Sequence, residues 1–90
     1  MYPHLTLLIR EVALDNRMPM LPEDEWKWPD NVKELEKEAA KLDDGEKEVF
    51  AAGEHDEIRA LTKKYKIGKL AKFLGEAFDG DLTQCFYKMP

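Results

Sequence analysis

The chain predicts an all-α fold, a compact bundle of about five short helices in a single small domain spanning residues 1–90. Three observations carry that expectation. The 90 residues are 43% hydrophobic and 37% charged, rich in Lys, Glu, Ala and Leu and poor in β-branched residues, a balance that suits a helical globule better than a sheet or a disordered chain. Apolar residues recur at i, i+3 and i+7 in several separate stretches. Gly, Pro and Asp punctuate those stretches at short intervals, so each helix is brief.

Helix 1 is expected over Leu5 to Arg17, with Pro3 in a position that suits a first turn and no Gly or Pro inside. Leu5, Leu8, Ile9 and Val12 form one apolar stripe, while Leu7 and Leu14 lie on another side at heptad spacing. A helix apolar on two sides is either covered on both by its own chain or uses the Leu7/Leu14 side as a seam for a partner or a second copy. The next segment, residues 18–29, holds three prolines and reads as a connector, with room for one helical turn after Pro22. Trp26 and Trp28 inside it are either anchors pinning the connector to the core or an exposed binding hot spot.

Asp30 or Asn31 can cap helix 2, in which Val32, Leu35, Ala39 and Leu42 make a narrow stripe and the remaining Lys and Glu a mixed, solvated face. Asp43 and Glu46 have the spacing of a capping box for helix 3, expected over Asp44 to Ala52 with Val49, Phe50 and Ala52 inward and Gly53 as a left-handed stop. Helix 4 starts with Glu54, Asp56 and Glu57 and continues through Ile58, Leu61 and Tyr65. A break at Lys66-Ile67-Gly68 precedes helix 5, whose stripe is Leu70, Ala71, Leu74, Ala77 and Phe78, ending at Asp79 and Gly80. The tail after Gly80 either adds a capped turn from Asp81 or runs extended.

The strongest charge feature is a basic patch, Arg59, Lys63, Lys64, Lys66, Lys69 and Lys72, with no acid between Ile58 and Gly75. Residues 23–57 carry 14 acids against five bases, and the net charge is −5. The patch therefore either neutralises the chain's own carboxylates or meets something outside it. Helix 4, the Lys66-Ile67-Gly68 turn and helix 5 partly resemble a helix-turn-helix over Ile58 to Leu74, which implies a second helix presented to a DNA groove. That helix carries Lys and Phe on its outer side and lacks, before Gly75, the Asn, Gln, Arg, Ser or Thr that read base edges, so such binding would be to phosphate. A third reading takes the acidic run from Asp43 to Glu57 as a mimic of nucleic-acid phosphates.

No catalytic, metal or cofactor constellation stands out, and no enzyme, metal or cofactor is expected. Cys85 stands alone among apolar neighbours, His4 and His55 are far apart in sequence, and Asp79 with Asp81 lacks the further ligands of a calcium loop. A single cysteine and no secretory leader suggest a reducing, cytoplasmic setting, and no apolar run is long enough for a membrane. A chain of this size buries only about 60 to 65% of its unfolded surface, so a partner would add stability. The expected function is thus that of a small acidic helical protein that binds another protein or itself, an interaction or adaptor module without catalysis. Leu7, Leu14, Trp26 and Trp28 are its candidate contact residues; nucleic-acid binding through the basic patch is the alternative.

Overall fold

The first helix, α1, runs from Pro3 to Asn16 with proline in its first turn, where the missing N–H has no helical partner to lose. The computed structural model describes residues 1–78 together with Phe86 and Tyr87. Leu5, Leu8, Ile9, Val12 and Ala13 are buried and make the floor of the core. The helix ends in a Schellman turn, in which Met18 N–H reaches Ala13 O at 2.9 Å and Arg17 N–H reaches Leu14 O at 3.3 Å. Arg17 takes the left-handed conformation, φ 51°, at the position that usually belongs to glycine.

The connector contains one 3-10 turn, Glu23–Glu25, as its run of acids after Pro22 suggested. It is fastened to the core by rings. Trp26 is buried, and its indole N–H donates to Leu21 O at 2.8 Å. Trp28, half-buried, meets Tyr2 and Trp26 edge-on, and Phe86 lies against both indoles and Phe73. Leu21 N–H also donates to Phe86 O at 2.9 Å, Met20 pairs with Tyr87 in an antiparallel bridge, and Tyr87 Oη donates to Ile9 O at 3.1 Å. Residues near the C-terminus thus close the connector onto α1. Burial raises the Tyr87 phenol well above its ordinary range.

Helix α2 spans Val32–Ala39, α3 spans Asp44–Ala51, α4 spans His55–Tyr65 and α5 spans Gly68–Phe78. Five helices and no strand are present among the described residues, the expected all-α bundle. α1 packs on α2 and α3, α3 on α4, α4 on α5, and α5 back on α2, so the helices close a ring around one core. Leu35, Leu42, Phe50, Ile67, Leu70, Phe73 and Leu74 fill it.

The capping box of α3 is present. Glu46 N–H donates to Asp43 Oδ1 at 2.7 Å, and Asp43 N–H donates to Glu46 Oε1 at 3.1 Å. Gly53 is left-handed, φ 78°, and stops the helix. Three details depart from the sequence reading. In α3 the inward residues are Lys47, Phe50 and Ala51, whereas Val49 and Ala52 face out, because the helix presents a face turned by about 150° from the one expected. Phe73, expected outside, is buried against Phe86. The break between α4 and α5 is made by left-handed Lys66, φ 56°, and Gly68 is already the first residue of α5. The end of α5 at Asp79 and Gly80, the form of the tail from Asp81, and Cys85 lie outside the described residues.

Candidate functional site

Among the described residues inside helices, the most exposed large hydrophobic is Leu14, on the outer side of α1. Its buried residues cluster on one side of the wheel, which turns Pro3, Leu7, Arg10 and Leu14 away from the core. Leu14 is 71% exposed, in the middle of the last turn of the helix. Leu7, two turns earlier on the same line, is partly buried. Beside Leu14 the chain turns through Arg17 into the connector, and Arg10, Ala13, Leu14, Arg17, Met18 and Met20 line a shallow groove of about 490 Å³. Two methionines next to an exposed leucine make a deformable apolar wall, a surface chemistry that accommodates partners of varied shape.

The two flanks of this face differ in charge. On the groove side stand Arg10, hydrogen-bonded to Glu23, and Arg17. On the other side Glu11 and Asp15 lie over α3, close to Asp44 and Glu48. Partial burial, and then the neighbouring charges of Glu48, Asp15 and Asp44, hold the Glu11 carboxyl above its ordinary value of 4.5.

Of the four apolar residues expected to meet a partner, only Leu7 and Leu14 share a face. Trp26 is 7% exposed and Trp28 half-buried, and both sit in the aromatic cluster that anchors the connector. Trp26 packs as an anchor, with its N–H engaged inside the chain, while half-buried Trp28 also borders a shallow cavity with Tyr2, Thr6 and Glu23.

The basic patch is divided. Lys69 Nζ donates to Glu34 at 2.8 Å, and Lys64 Nζ pairs with Glu46 at 3.3 Å. The Lys69 hydrogen bond is the main cause that lowers the Glu34 carboxyl; for Glu46 the Asp43 backbone N–H comes first, with Tyr65 Oη and Lys64 adding to it. Arg59, Lys63, Lys66 and Lys72 are exposed, and Lys72 lines a second shallow cavity with Phe50, Gly53, His55, Ile58, Ala71, Leu74 and Gly75. The six basic residues therefore do not form one continuous field: two are held by acids from α2 and α3.

The charged residues of α2 and of the turn that follows it, read as a solvated face, are the ones sequence reasoning missed. Glu36 accepts from the His4 and Leu5 amides at 3.2 and 2.9 Å, Glu38 from the Leu70 amide at 3.2 Å, and Lys41 donates to Tyr65 O at 3.3 Å. Lys47 is 2% exposed and its Nζ donates to His4 Nδ1 at 2.9 Å, with Asp44 Oδ1 at 3.9 Å. His4 is thus bound to a buried ammonium, whereas His55 stands at the exposed start of α4. Among the described residues no group of three His, Cys, Asp or Glu side chains is placed to hold a metal, and no helix is long and apolar enough to cross a membrane. No protein-family model matches the chain, and comparison with curated proteins and with solved structures finds no match either.

Proposed function

We propose that this chain is a small protein–protein interaction module, an adaptor without chemistry of its own, and that its contact face is the outer side of α1 with the adjoining Met18/Met20 groove. The observation that carries the reading is Leu14, 71% exposed on a helix whose other large aliphatic residues are wholly or partly covered. A leucine left in water gains no apolar burial at such a place, while a protein interface concentrates its affinity in a few well-buried side chains, arginine among the commonest of them. Arg10, Arg17, Met18 and Met20 supply that setting around it. The cytoplasmic location expected from the lone Cys85 accords with an adaptor role. Nucleic-acid binding is less favoured, since Lys64 and Lys69 already have carboxylate partners.

Photo-crosslinking in cells that make the protein tests this. A benzoylphenylalanine in place of Leu14 should give a discrete adduct that is lost on Leu7→Glu, and the same probe in place of exposed Ala40 should give none. No adduct at position 14, or equal adducts at both positions, overturns the reading.

A further inference from the structure

The geometry points to a specific occupant for this face: we propose that a second copy of the chain packs on it, with the two α1 helices parallel and in register, Leu7 against the partner's Leu7 and Leu14 against the partner's Leu14. The inference rests on the outer side of α1 being an interaction surface and adds what covers it.

Seven residues are nearly two helical turns, so Leu7 and Leu14 fall within about 20° of one line along α1. Residues repeating in this way meet their own copies layer by layer when two helices run parallel. The direction follows from the charges that flank the line. Arg10 and Arg17 stand on the groove side, and Glu11 and Asp15 on the side facing α3, where Asp44 and Glu48 extend the acidic strip. A two-fold axis along the helices brings the basic flank of each copy against the acidic flank of the other, at both edges of the seam. A two-fold axis across the helices would set arginine against arginine and acid against acid. Only the parallel arrangement is complementary.

Within the acidic flank Asp44 is paired with Lys47 of its own helix at 3.9 Å, whereas among the described residues Glu11, Asp15 and Glu48 form no ion pair; the bond from Arg10 to Glu23 engages one of the five donors of a guanidinium and leaves others to reach across. A 14-residue helix is roughly 21 Å long. The seam is therefore smaller than a standard interface of about 800 Å² per partner, and the expected dissociation constant is micromolar or weaker, so the dimer falls apart on dilution.

Sedimentation velocity of the full chain, from low micromolar to near-millimolar concentration, is the test. The wild type should show a concentration-dependent dimer. Leu14→Glu should raise the dissociation constant by about tenfold or more, and because Leu14 is outside the core the variant should keep its helical circular dichroism. Arg10→Glu should weaken the dimer similarly, and the exchange Arg10→Glu with Glu11→Arg should restore part of it. Orientation is read by oxidising a Leu14→Cys chain in a Cys85→Ser background. Parallel packing places the two new thiols within disulfide reach, whereas antiparallel packing about the midpoint between Leu7 and Leu14 separates them by roughly 10 Å along the helix axis. A covalent dimer forming faster than with Lys37→Cys supports the proposal. A wild type that stays monomeric, a dimer untouched by Leu14→Glu, or no preferred disulfide at position 14 overturns it. Photo-adducts from position 14 that contain a different protein overturn the second copy while leaving α1 as an interaction face; no adduct together with a monomer removes both.

Discussion

Glu36 and Glu38, two positions apart on α2, each accept hydrogen bonds from the first turn of a different helix. Glu36 takes the His4 and Leu5 amides of α1, and Glu38, only 9% exposed, takes the Leu70 amide of α5. Residues two apart on a helix point about 200° from each other, so α2 reaches its neighbours on opposite sides. Neither recipient has a local cap. Tyr2 precedes α1 without a side-chain cap bond, and Ile67, which precedes α5, has no polar atom in its side chain to offer. Carboxylates from elsewhere meet both needs, and their negative charge suits the positive end of a helix.

Removing either capping carboxylate should therefore destabilise the fold more than removing a surface glutamate. Glu36→Ala and Glu38→Ala are each expected to lower the unfolding free energy by about 1 to 2 kcal/mol. Glu38→Gln, which retains an acceptor, should cost less than Glu38→Ala. Glu34→Ala, which removes only an exposed pair, should stay within about 0.5 kcal/mol. Urea denaturation monitored by circular dichroism separates the three cases; equal losses at all positions would show that the caps contribute no more than surface charge.

Two carboxylates should respond to acid with opposite signs. Glu46 is held below its ordinary value of 4.5, first by the Asp43 amide and then by Tyr65 and Lys64. Its contribution is complete above that value and is lost as pH falls through the lowered folded-state value. Glu11, held above 4.5 by partial burial and by acidic neighbours, opposes folding at neutral pH, and the opposition disappears as the pH falls below 4.5. Glu46→Gln should thus lower the melting temperature at neutral pH, and Glu11→Gln should raise it. Both differences should shrink towards zero in melts taken from about pH 8 down to about pH 3 at low protein concentration.

Left-handed residues give a paired test of the turns. Lys66 closes α4 at φ 56°, where a side chain is strained, and Gly53 closes α3 at φ 78°. Lys66→Gly should stabilise the chain by up to about 1 kcal/mol, and Gly53→Ala should destabilise it by about as much. A fall in melting temperature for Lys66→Gly would mean that the lysine side chain makes a contribution larger than the strain.

The contrast between these two turns marks how far the sequence was legible. Local signals carried: the Asp43/Glu46 box, the stop at Gly53, the proline-led start of α1 and the apolar stripe of α1 all stand where spacing put them. Features that depend on distant chain did not. Lys66 took the strained turn although Gly68 lay two residues away, because Ile67 is needed in the core and α5 must begin directly after it. Glu36, Glu38 and Lys41 looked like a solvated face because their acceptors and donors are the ends of other helices. The missing local caps at Tyr2 and Ile67 were the available clue, since an uncapped helix start inside a fold requires a polar group from elsewhere. Leu14 could be placed on a second side of α1 by spacing alone, whereas its exposure depended on which helices packed against the first side.

Buried Lys47 and part-buried His4 should depend on each other for stability. Lys47 is 2% exposed and occupies an inward position on α3; its Nζ lies 2.9 Å from His4 Nδ1, and Asp44 Oδ1 stands 3.9 Å away. Taking away the imidazole leaves a buried cation short of an acceptor, so His4→Ala should cost about 1 to 3 kcal/mol. Lys47→Met removes the charge and keeps the length of the side chain, and replacing a buried polar pair by apolar groups of similar shape is often neutral or stabilising. The double variant, His4→Ala with Lys47→Met, should consequently be more stable than His4→Ala alone. A double-mutant cycle in urea reads the coupling directly. If the two losses simply add, the imidazole and the ammonium do not depend on each other, and Lys47 is held in the core by its methylene chain alone.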